Sequence, residues 1–140
     1  MAASKSWSTD VTLTRRRRHF TVAEANRTLP LVRRVVADIV RTHERATDLH
    51  NKLEDRACPQ KRADVEESLE KQVDLLADLV EELRSIGCDL KDYRMGLVDF
   101  IGKHQGREIC LCWKMGEEQV DWWHELHTGF SGRQPVSLLT

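Results

Sequence analysis

Between Val32 and Leu53, small or apolar residues recur three and four positions apart, at Val32, Val35, Ile39, Thr42, Ala46, Leu49 and Leu53. This spacing lays one stripe along a helix. A second stripe follows at Val65, Leu69, Gln72, Leu76, Leu79, Leu83 and Ile86, a heptad seam with one polar member. Neither helix buries its stripe alone, so the pattern predicts an antiparallel hairpin joined through Cys58-Pro59. Thr21 with Glu24 is a capping-box signature, Phe20 stands where a hydrophobic staple begins, and Gly87 offers the left-handed residue that closes a helix. Pro30 either divides a leading turn from the long helix or kinks one continuous helix.

After Gly87 the period falls to two. Gly96–Ile101, Glu108–Trp113 and Val120–His124 are three strand candidates, with turns at Gly102–Gly106 and Met115–Gln119. The predicted fold class is therefore α+β: a long antiparallel α-helical hairpin followed by a small antiparallel β-meander. Residues 1–19 show no hydrophobic period and form a basic arm unable to bury enough surface to order itself. Residues 20–136 make the single domain and 137–140 a tail. Val73, Leu75 and Val80 widen the second stripe, so either the β unit or a second copy of the chain has to cover the surplus.

Composition narrows the picture. With 140 residues and 40% apolar content, the chain can bury one modest core without disulfides or metal. No apolar run approaches the ~20 residues of a membrane-spanning helix, and Met1–Asp10 has no signal-peptide h-region. These features point to an unprocessed, soluble, cytoplasmic chain with no membrane partner. Cys58, Cys88, Cys110 and Cys112 are too scattered for a secreted disulfide framework. The net charge of −1 hides a basic start, Lys5 and Arg15–Arg18, and an acidic stretch from Arg62 to Asp92. Charge alone does not imply a dedicated nucleic-acid binder.

Candidate chemistry concentrates near the C-terminus. His124 and His127 can chelate a divalent metal from one face if a third ligand, Asp99 or Glu125, joins them; the alternative is histidines packed beside tryptophans. Gly129 and Gly132 with Arg133 can form an anion nest, or else make a tight turn whose arginine pairs with an acidic residue of the second helix. Ser131 is a poor nucleophile candidate, since Arg133 stands where the nucleophile elbow needs glycine. Cys110 and Cys112 share a strand face and with a histidine could hold zinc, but they read more readily as small buried thiols. Convergence of Asp99, His124, Glu125, His127 and Arg133 would give a polar cluster walled by Trp113, Trp122 or Trp123. His43, His50 and Gln72 lie in or beside the helical seams, either as a polar layer or at the solvent edge.

The segments Gly96-Leu97-Val98-Asp99-Phe100, Gly106-Arg107, Leu111-Cys112-Trp113, Gly116-Glu117, Trp123-His124-Glu125, Gly129-Phe130 and Gly132-Arg133-Gln134-Pro135 together resemble a bacterial family known as domain of unknown function 2203. Phe20-Thr21, Glu24-Ala25-Asn26, Leu29-Pro30 and Gly87–Asp92 extend the resemblance over roughly Phe20 to Pro135. It implies no activity, and the arginine arm lies outside it. His127 stands where the resemblance leads us to expect aspartate. With no recognisable nucleophile, cofactor loop or complete metal set, the leading expectation is a non-catalytic interaction or assembly module, acting as a homodimer or with a protein partner through the hairpin. The alternatives are a metal- or anion-binding site, possibly enzymatic, in the C-terminal cluster, and nucleic-acid association through the arginine arm.

Overall fold

The computed structural model describes residues 18–139. Its first element is a continuous helix, α1 (Val22–Glu54), opened by a complete capping box: Thr21 accepts from the Glu24 amide, and Glu24 accepts from the Thr21 amide. Pro30 lies inside α1 rather than dividing it. A turn capped by Asp55 leads to α2 (Arg62–Ile86), which ends at Gly87. There φ is 121°, and an added Cβ would come within 2.5 Å of the Phe20 ring. Glycine is needed here for both backbone conformation and space.

Every position of the α2 seam is buried or half-buried, from Val65 to Ile86. In α1, complete burial runs from Ala25 to Thr42 and stops there. Beyond Thr42, Ala46, Leu49 and Leu53 are half-buried. Of the polar residues near the seams, Gln72 is half-buried with Oε1 unpaired. His43 stacks on Tyr93 at 5.1 Å, and His50 is exposed beside Glu54.

The helices lead into a five-stranded antiparallel sheet in chain order: β1 (Cys88–Asp92), β2 (Leu97–His104), β3 (Arg107–Lys114), β4 (Trp122–Glu125) and β5 (Gln134–Pro135). β1 and β5 were not among the strands expected, and the third expected strand starts later than Val120. The Val120 amide donates to Asn26 Oδ1 of α1 at 2.7 Å instead of entering the sheet. The β2–β3 turn is confined to Gln105 and Gly106, with φ of 50° and 80°, the sign pattern of a tight hairpin turn matched to strand twist. That turn fixes Asp99 opposite Cys112 and Ile101 opposite Cys110.

Side chains alternate across a sheet. Val98, Phe100, Ile109, Leu111, Trp113 and Trp123 face the helices and join Leu29, Val32, Val36, Ile39 and Leu83 in one core. Leu139, expected in a tail, also packs against this core, as does Val136. Arg15–Arg17 of the expected arm lie outside the described residues. Arg18 sits 4.2 Å from the Phe20 ring centroid, and His19 pairs with Glu108 at 2.8 Å. No described helix is long and apolar enough to cross a membrane.

Candidate metal centre

The sheet face turned away from the helices carries the chemistry. Asp99 of β2, Cys112 of β3 and His124 of β4 stand on three adjacent strands of this face. One ligand atom of each lies within 4.8 Å of the other two, and all three residues are buried. Among the described residues this is the one group of three or more such side chains with that geometry. Strand alternation and the β2–β3 register bring Asp99 and Cys112 together. The imidazole of His124 comes from β4 and reaches Asp99, two strands away.

The hydrogen bonds of His124 define its protonation pattern. Nδ1 lies 2.7 Å from the Glu125 carbonyl oxygen; a carbonyl only accepts, so Nδ1 is the donor. Nε2 faces Asp99 Oδ2 at 3.1 Å, and the buried Asp99 Oδ1, which no nitrogen or oxygen donor reaches, belongs to a carboxylate that also meets the Cys112 thiol. A neutral imidazole with its proton on Nδ1 would point a lone pair at a carboxylate. The contact therefore requires a positive charge between the two, either a proton or a metal ion. Burial, and then the Asp99 charge beside it, push the Cys112 thiol well above its ordinary range. Without a cation it stays protonated and is no nucleophile.

Asp99 and His124 also line a concavity of about 530 Å³, together with Asp89, Lys91, Leu97, Ile101, Cys110, Leu126, Gly129 and Phe130. Cys112, fully buried, is not part of this lining.

The other expected members of the cluster go elsewhere. Glu125 follows His124 and so points to the opposite face, where Arg107 holds it through two hydrogen bonds of 3.1 and 2.7 Å; that pairing lowers its pKa. His127 is exposed in the turn after β4 and does not join His124 as a ligand. Arg133 does not reach Asp99 or Glu125. Its Nη2 donates to Glu117 at 2.7 and 2.8 Å, and its guanidinium lies 5.1 Å from the Trp122 ring and 4.9 Å from that of Phe130. Of the residues read as an anion nest, Gly132 and Arg133 have their amides committed within their own turn, to Gly129 and Phe130. Of the three tryptophans expected as walls, Trp113 and Trp123 belong to the core on the other face. Only Trp122, paired with Cys112, shares the face of the triad.

Cys112, considered from sequence as a zinc ligand only beside Cys110 and a histidine, is the member of this group absent from the expected His124, His127 and Asp99 set. Its signal is the His104-Gln105-Gly106-Arg107 turn, since a two-residue loop there places Cys112 opposite Asp99.

The architecture defines a class: a helical hairpin carried on one face of an antiparallel meander whose other face holds a buried Asp-Cys-His group. The chain belongs to the family described as "Uncharacterized conserved protein (DUF2203)", whose model matches residues 18–136. No curated protein and no solved structure matches it.

Proposed function

We propose that this protein binds one divalent transition-metal ion through Asp99, Cys112 and His124. The observation that carries the reading is the His124 contact pair: Nδ1–H is fixed on a backbone carbonyl while Nε2 faces a buried carboxylate that also meets the Cys112 thiol. A metal-binding histidine is oriented this way, its second nitrogen donating to a carbonyl or carboxylate. One carboxylate, one imidazole and one thiolate suit a zinc-class ion, and three protein ligands leave a fourth position free. The ion supplies the charge the contact requires and lowers the thiol pKa so that Cys112 binds as thiolate. The test is cobalt(II) titration of the apoprotein. The reading predicts visible ligand-field bands and a near-ultraviolet thiolate-to-cobalt band that saturate at one ion per chain, with the thiolate band lost in Cys112→Ser. No bands, or bands indifferent to Cys112→Ser, would refute it.

A second reading, an assembly module that pairs with a second copy through α2, is favoured by the exposure of that helix. Only Val65 and Leu83 of its 25 residues are buried, while Val73 and Leu75 are 51% and 42% exposed. Its eight carboxylates outnumber its three basic residues, so association is opposed by charge and strengthened by salt. Light scattering at micromolar protein and high salt should give twice the chain mass; a monomer at every salt concentration rejects this reading.

A further inference from the structure

We infer that the outer-face concavity takes a small monoanion with an apolar tail, a short-chain carboxylate being the simplest example, whose head group completes the coordination of the ion. This inference rests on the metal reading and deepens it. The three ligands rise from one face of β2, β3 and β4, so the sheet closes the ion from behind and the fourth position points away from it. Asp99 and His124 line the concavity, whereas Cys112 is fully buried and outside the lining. The free position therefore opens into this space and not directly into bulk water.

The lining sets the ligand class. Leu97 and Ile101 flank Asp99 on β2, and Leu126 and Phe130 from the segment after β4 supply further apolar wall. Leu126 is 51% and Phe130 38% exposed, apolar surface that a ligand would cover. A volume of about 530 Å³ is within the usual range for small-molecule sites. Charge points the same way. A divalent ion with the Asp99 carboxylate, the Cys112 thiolate and a neutral imidazole sums to zero, and an anionic head adds one negative charge. Lys91, on the exposed edge strand β1, can pair with that head, and since Asp89 cancels the lysine in the lining's own sum, the site with a monoanion bound carries one net negative charge. Asp89, two positions away on the same face, opposes a dianion.

The experiment uses the cobalt(II)-loaded full chain, with acetate, hexanoate and hexylammonium as probes and the ligand-field bands as the readout. Hexanoate should shift the bands and saturate at a concentration at least ~10-fold lower than acetate, the gain from about two methylenes leaving water. Hexylammonium should leave them unchanged. Lys91→Gln should weaken both acids several-fold, and Leu126→Ala, at an exposed position, should weaken hexanoate while leaving acetate alone. If the cobalt bands form but no acid shifts them, or if acetate and hexanoate saturate together, the ligand inference is wrong while the metal centre stands. If no cobalt bands form, both fall.

Discussion

Removing Arg133 tests whether the segment after β4 is held against the sheet by one ion pair. The Arg133 and Glu117 side chains are 11% and 21% exposed, and Arg133 is further covered by Trp122 and Phe130. Deleting one partner of a buried pair costs ~3–5 kcal/mol, because the other charge is left uncompensated. Here the cost is reduced, since Glu117 is a fifth exposed and its Oε1 still accepts from the Lys114 amide at 2.8 Å. Arg133→Ala should therefore lose about 2–3 kcal/mol, equivalent to roughly 6–12 °C in Tm for a chain of this length. Glu117→Ala should cost a similar amount, because it strands a guanidinium whose Nε already lacks a partner. The assay is urea denaturation followed by tryptophan fluorescence, with the double variant closing a cycle. A coupling energy of about 1–2 kcal/mol is expected. Losses below ~0.5 kcal/mol in both single variants, or strict additivity, would refute the argument. Phosphate affinity should not change in Arg133→Ala, since the guanidinium is committed to Glu117.

Further predictions concern the helices and the sheet. Leu83, fully buried where α2 meets the core, should cost about 3–4 kcal/mol on truncation to alanine, and half-buried Leu76 about 1–2; equal losses in thermal unfolding would contradict the burial gradient along α2. Gln72→Leu should stabilise by about 1 kcal/mol, because it removes a buried unpaired Oε1 from an otherwise apolar seam; a lower urea midpoint would show that the amide has a partner in solution. Burial, and then Asp89 and Asp99, push the Cys88 thiol up to about 12. The folded thiol keeps its proton where the unfolded one loses it near ~8.5, so the stability it contributes is intact below that pH and is lost as pH rises toward about 12. The urea midpoint should fall along this alkaline limb, less steeply in Cys88→Ala; identical slopes would reject the assignment.

Much of the fold was legible because it is written in single-segment periodicity. The α2 seam from Val65 to Ile86 and the capping box at Thr21 depend on residues three and four apart, and the structure keeps both. Pro30 could be read two ways, and its place within α1 follows from packing that local sequence does not carry. β1 was missed because Cys-Asp-Leu-Lys-Asp is short and acidic, and β5 because two residues make no pattern. The site was harder to read, since it is assembled by register. His124 and Glu125 are adjacent in sequence and attract attention as a pair, yet strand alternation sends them to opposite faces. Glu125 then meets Arg107 of the neighbouring β3, while His124 reaches over β3 to Asp99. Arg133 pairs neither with an acidic residue of the second helix nor with Asp99 and Glu125, as its sequence setting suggests; its partner is Glu117 in the β3–β4 connection, a residue marked by no spacing rule. Cys112 joins the group only through the Gln105-Gly106 turn, a two-residue detail that the broader Gly102–Gly106 turn concealed.

The central claim is a metal centre built from Asp99, Cys112 and His124, and elemental analysis of protein purified without a histidine tag tests it most directly. Wild-type protein dialysed against metal-free buffer and then reloaded with one equivalent of zinc should retain close to one ion per chain after gel filtration. Asp99→Asn, Cys112→Ser and His124→Gln should each retain less than about a tenth of that, in keeping with the loss of one ligand from a three-ligand site. His127→Ala should retain as much as wild type, because His127 lies exposed outside the group. Wild-type protein that emerges without zinc, or triad variants that retain it as well as wild type does, would contradict the account.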